Sequence, residues 1–207
     1  MTDNLEALRE DLAYVKALAK EGRHAPLIAG PILLLAGVTW GTASLISYAM
    51  AKGVIPGSQT LANWTWGVTA LVFFAGMMLL IQRSKGKPGA GALNNRAVSA
   101  GWSGAGWGIF AFVLAIAAAA WRLNDPNLIW LISPAVLALY GVAWSVSAAM
   151  TEQKWLGWIG IGSLIGAVLM GLMAGMAEMF LAYAAALYLL AGLPGYLLMR
   201  GEPSLEV

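Results

Sequence analysis

The sequence predicts an all-α polytopic membrane protein, with six transmembrane helices as three helical hairpins, preceded by a cytoplasmic amphipathic helix. Three observations lead there. Of 207 residues, 60% are apolar and only 11% are charged, whereas soluble domains usually carry about 25% charge. Uncharged stretches recur at 25–51, 53–82, 97–121, 126–151, 155–177 and 179–199, each reaching the roughly 20 residues that cross a ~30 Å hydrocarbon layer. The cations, finally, are distributed unevenly among the connections. Backbone amides find no water in lipid, so such runs read as helices. The boundaries expected are an arm at 1–24, one transmembrane domain at 25–200 and a cytoplasmic tail at 201–207. Within the domain, spans fall at about 27–50, 61–82, 97–121, 127–150, 155–177 and 179–199. The first run is too long for a cleavable signal and sits behind a charged arm.

Six spans place both termini on the side of the second and fourth connections. That side holds Arg9, Lys16, Lys20, Arg23, Arg83, Lys85, Lys87, Arg96, Lys154 and Arg200, leaving Lys52 and Arg122 for the other. The bias predicts cytoplasmic termini. A pI near 9.0 therefore serves topology, and no nucleic-acid partner is expected. Cysteine is absent and His24 is the single histidine, which excludes disulfides and thiolate metal sites and leaves too few ligands for haem or zinc. No cofactor is expected.

The arm reads as a helix. Asp3 or Asn4 can cap it, acids crowd its start, and Lys16, Lys20 and Arg23 crowd its end, matching the helix dipole. Leu5, Leu8, Leu12, Val15 and Ala19 recur at spacings of three and four, a seam of about two heptads. Gly22 and Pro26 end it. This seam suits either the inner leaflet or a protein partner, with Leu5, Leu8, Leu12 and Val15 as docking residues. His24 beside Arg23 is an interfacial linker residue or, less commonly, a pH-sensitive one.

In the third span, "GWSGAGWG" at 101–108 resembles a phosphate loop superficially. Such a loop follows a strand and ends in Gly-Lys-Ser or Gly-Lys-Thr, and neither holds here. Gly104 and Gly108 instead stand one helical turn apart, a spacing that lets helix backbones approach in lipid. Gly37 and Gly41 in "GVTWG" and Gly162 and Gly166 in "GSLIG" repeat the spacing, and the return spans carry Gly76, Gly141 and Gly192. A weak threefold hairpin repeat results.

Trp40 and Trp107 fall near mid-membrane, although tryptophan favours the interface. Each ring either fills space beside glycine or lines a solute path with Thr39, Thr42 and Ser103. No acid, lysine or histidine stands at mid-depth, where proton-coupled pumps and voltage sensors need one. Glu178 either caps an outer turn or guards an outer vestibule with Arg122 and Asp125. Ser133, Ser145 and Ser147 have no base within a span, and the chain is expected not to be an enzyme.

The segments "DLAYV" at 11–15 and "EGRHAPLIAG" at 21–30 resemble the start of a group of six-span bacterial inner-membrane proteins. "RGEPS" at 200–204 is similar to their tail. The resemblance implies a bacterial inner-membrane setting and no particular activity; over the remaining chain it extends only to hydropathy. The three-hairpin layout is also similar to bacterial amide and urea channels and to the acid-resistance membrane protein family. That likeness is architectural and carries no pore motif. Residues 205–207 fit a native end or the start of a protease-site tag equally well.

Two functional readings follow. One is a non-enzymatic, homo-oligomeric membrane protein that passively conducts a small neutral solute, motivated by glycine faces and hydroxyl-bearing spans without buried charge. The other is an accessory or regulatory protein that docks a partner through its N-terminal helix.

Overall fold

Six helices among the described residues are long and apolar enough to cross a membrane. The structure is a computed structural model that describes Leu12 and residues 27–85, 87, 89 and 91–202. Leu5, Leu8, Val15 and His24 of the arm lie outside the described residues, as do 203–207. Leu12 is helical and exposed.

Helix α1 spans Gly30–Ala51 with proline in its first turn, where a missing N–H costs no internal hydrogen bond. After α1, Gly53 takes φ +71°, a conformation that glycine adopts without steric cost. Helix α2, Gln59–Ser84, is capped by Ser58, whose hydroxyl accepts from the Leu61 amide at 3.1 Å. Helix α3, Leu93–Leu123, has 31 residues, a length of about 46 Å that carries its ends beyond the hydrocarbon. It starts four residues before the span expected from hydropathy and so takes in Asn94, Asn95 and Arg96. A six-residue 3₁₀ turn, Pro126–Leu131, leads into α4, Ile132–Thr151. Helix α5 is Lys154–Leu172. The sixth span is α-helical over Glu178–Leu187 (α6), π-helical over Tyr188–Gly192 and α-helical again over Leu193–Arg200 (α7).

The closest helix pairs are α4 with α5 and α1 with the sixth span; α3 packs on α4 and α2 on α1, while α5 and α6 meet more loosely. Tight packing therefore cuts across the sequential hairpin grouping. Side-chain-free positions explain the choice. A Cβ on Gly37 would lie 2.5 Å from the Gly192 Cα, and one on Gly30 would lie 2.8 Å from the Gly195 carbonyl oxygen. On the other side, a Cβ on Gly160 would stand 3.2 Å from the Gly141 carbonyl. Dispersion between close-packed atoms replaces the hydrophobic drive that lipid removes.

The centre is filled by Trp144, Leu137, Leu156, Met179 and Leu187, all essentially inaccessible. Helix α2 has no buried residue and α3 few, so these two form the edges. Gly30 at the start of α1 bonds Glu202 beyond α7, and Lys52 after α1 pairs with Glu178 at the start of α6. The chain therefore runs up and down, bringing residues 30 and 202 to one end. Arg83, Lys85, Lys87, Arg96 and Arg200 share that end, called here the basic end.

Candidate functional site

At the basic end the sequence builds a polar knot from four separate segments. Glu202 is its centre, with only 2% of its side chain exposed. Its Oε1 accepts from the Gly30 amide at 3.1 Å, and its Oε2 pairs with the Lys87 ammonium. The carboxylate thus faces both a cation and the electropositive start of α1. Asn95 completes the knot: its Oδ1 accepts from the Ile28 amide at 3.2 Å and its Nδ2 donates to the Gly89 carbonyl at 3.0 Å. Asn94 Oδ1 accepts from the Asn95 amide at 2.7 Å. Buried polar groups need such partners. The start of α1, the α2–α3 connection, the start of α3 and the chain beyond α7 are consequently held together.

Sequence reasoning missed this knot. Glu202 and Lys87 look solvated because each sits in a polar, glycine-rich segment, and no spacing rule relates positions 115 apart. The one available signal was the pair Asn94-Asn95 at the edge of an apolar run.

Deeper in the bundle, Trp102, Tyr140 and Trp144 form an edge-to-face cluster, with Trp102 centroids 5.3 Å from Tyr140 and 5.0 Å from Trp144. Trp102 Nε1 donates to Ser147 Oγ at 3.2 Å, which donates in turn to the Ala143 carbonyl at 2.8 Å. Trp144 Nε1 donates to the Leu190 carbonyl at 2.9 Å. Leu190 lies within the π-helical turn, where altered backbone pairing makes a carbonyl available to an outside donor. Ser44 Oγ is buried without a hydrogen-bond partner; its neighbour along the same face, Ser47, donates to the Ala43 carbonyl at 2.9 Å.

The residues expected to line a path do not converge within the chain. Trp40 is half-buried between α1 and α2, stacked on Trp66 at 6.0 Å and tilted against Phe73 at 5.8 Å. Trp107 is 72% exposed on α3, with Phe110 as its one aromatic neighbour among the described residues, at 6.1 Å. Thr39 donates to the Leu35 carbonyl of its own helix at 2.7 Å. Thr42 shares a 3.0 Å hydrogen bond with the Tyr188 hydroxyl, on an exposed face. Ser103 is exposed. Helix rotation explains the divergence: α3 turns Ala105 inward, which sends Ser103 and Trp107 outward.

The glycines divide likewise. Gly37 abuts the sixth-span backbone and Gly41 the Tyr188 ring, 2.9 Å from a Cβ built there. Gly108 faces Leu139, Gly162 faces Leu190 and Gly166 faces Leu137, all through side-chain contacts of 3.2–3.4 Å. Gly104 meets nothing within 4 Å of a built Cβ, so the approach expected there is not made among the described residues.

At the opposite end, Glu178, read from the sequence as an outer-turn cap or as a vestibule residue with Arg122 and Asp125, stands in the first turn of α6. It pairs with Lys52. The hydrogen bond that the Lys52 ammonium donates to this carboxylate, followed by the charge itself, raises the Lys52 pKa above its ordinary value. Asp125 accepts from the Asn127 amide at 2.9 Å and caps the 3₁₀ turn. Arg122 is exposed in the last turn of α3, where a cation suits the helix dipole. Short-range capping and the reach of Lys52 thus outcompete a shared cluster.

Among the described residues, no three His, Cys, Asp or Glu side chains stand close enough to hold a metal. Comparison with protein-family models, with curated proteins and with solved structures yields no match.

Proposed function

We propose that this chain is a non-enzymatic, homo-oligomeric accessory protein of the bacterial inner membrane, with cytoplasmic termini, that holds other membrane chains rather than passing a solute through its own bundle. One observation carries the reading. The bundle centre is filled by Trp144, Leu137, Leu156, Met179 and Leu187, while the hydroxyls and indoles suited to a path face different surroundings. Large apolar side chains stand outward on both edge helices instead, among them Leu71 and Met78 on α2 and Trp107 and Phe112 on α3. Contiguous apolar surface in a membrane meets lipid or another chain, and small residues such as Gly67 and Gly104, open around their Cα atoms, permit close helix approach. The N-terminal seam is a second place for a partner, on the cytoplasmic side.

Photo-crosslinking from position 71 or 107 in native membranes tests the edge surface. Adducts to a second copy or to another membrane protein are expected, and adducts to lipid alone overturn it. Deleting residues 2–22 tests the arm: partner co-purification falls while the bundle stays folded, and unchanged association removes the arm from the reading.

A second reading, passage of a small neutral solute between copies, is favoured by the exposed Thr42–Tyr188 hydroxyl pair. Liposome shrink–swell rates separate the two. Rates equal to those of empty vesicles support the accessory role, and faster solute entry supports conduction.

A further inference from the structure

Between α2 and α7 over α1, an apolar groove of about 340 Å³ lies open on the surface of the bundle. Its lining is Pro31, Leu34, Leu35 and Val38 of α1, Leu80 of α2 and Met199 of α7. The four α1 residues follow one helix face at i, i+3, i+4 and i+7, a run of about 10 Å along the bilayer normal. No side chain in the lining carries a hydrogen-bond donor, so a polar solute would gain nothing there. The basic end of the groove is different. Arg83 lies one helical turn beyond Leu80, and Arg200 directly follows Met199 with its guanidinium over the Tyr196 ring at 5.8 Å. Both arginines are exposed. The nearby acid, Glu202, is buried and already neutralised by Lys87 and the Gly30 amide, which leaves the rim positive.

We propose that this groove holds one acyl chain of an anionic phospholipid, its phosphate facing Arg83 and Arg200. Charge complementarity selects the occupant: an apolar trough at acyl depth ending in two guanidiniums fits a lipid with a negative headgroup, and guanidinium is the side chain best suited to phosphate. The proposal stands apart from the partner reading, because neither rim arginine belongs to the outward faces of α2 and α3 assigned to other chains.

Native mass spectrometry of the full chain in neutral detergent tests it, with phosphatidylglycerol, phosphatidylcholine or inorganic phosphate added. Wild-type protein is expected to retain phosphatidylglycerol in preference to phosphatidylcholine. Each of Arg83→Gln and Arg200→Gln should weaken that retention about fivefold, with the double variant falling to the phosphatidylcholine level. Val38→Trp, which fills the trough, should reduce retention of both lipids. Because the arginines are exposed, their variants keep the parent's elution and melting behaviour and remain informative even if Val38→Trp misfolds. Equal retention of the two lipids by wild type, an unchanged double variant, or displacement of lipid by inorganic phosphate each overturns the proposal.

Discussion

Gly37 and Gly104 carry the same residue type at the same repeat position and have opposite surroundings. A methyl on Gly37 would press into the backbone at Gly192, 2.5 Å from its Cα, whereas one on Gly104 would meet nothing within 4 Å. Gly37→Ala is therefore expected to destabilise the bundle by about 1–3 kcal/mol. Gly104→Ala should stay within about 0.5 kcal/mol of the parent. Thermal melting in detergent compares the pair, and equal effects would contradict the crossing geometry. Glu202 makes a second contrast at this scale. Glu202→Gln removes the charge that Lys87 faces and should cost about 1–3 kcal/mol. Glu178→Gln breaks an exposed pair and should leave the melt unchanged, since such pairs are screened by water.

Among the elements, the sixth span departs furthest from regular helix. Its π-helical turn, Tyr188–Gly192, sets Tyr188 against Gly41 and presents the Leu190 carbonyl to Trp144. The irregularity thus joins α1 and α4 through one segment. Trp144→Phe withdraws the donor and empties part of the indole's volume, and should cost about 2–4 kcal/mol from the unpartnered carbonyl and the cavity together. Hydrogen exchange at residues 188–192 should rise with it, and unchanged exchange would show the bond to be dispensable. Helix α2 behaves as the other extreme, a span held to the bundle by α1 through the Trp40–Trp66–Phe73 contacts and the Leu35–Gly76 contact. Hydropathy made both helices legible alike, because it measures length and apolarity. It is blind to the rotation that decides which face a neighbour covers.

At the scale of the whole molecule, up-and-down threading brings residues 30 and 202 together at one end, and the proposed orientation, which rests on the cation bias, puts that end in the cytoplasm. The chain has no cysteine, so single introduced thiols report topology directly. Ser58→Cys and Asn127→Cys are expected to react with a membrane-impermeant maleimide in intact cells, and Gly91→Cys only after permeabilisation. The reverse pattern would invert the orientation. The six helices long and apolar enough to cross a membrane were readable from local composition, because crossing lipid is a demand on each segment separately. So was the helical character of every run, since backbone amides must be satisfied wherever water is missing. Which helices touch was decided only by tertiary structure. Gly37 meets Gly192, Glu202 meets Lys87 and Glu178 meets Lys52 across long stretches of chain. Such pairings depend on helix rotation and crossing, which arise from the packing of all six spans at once and leave no periodic trace in any one of them.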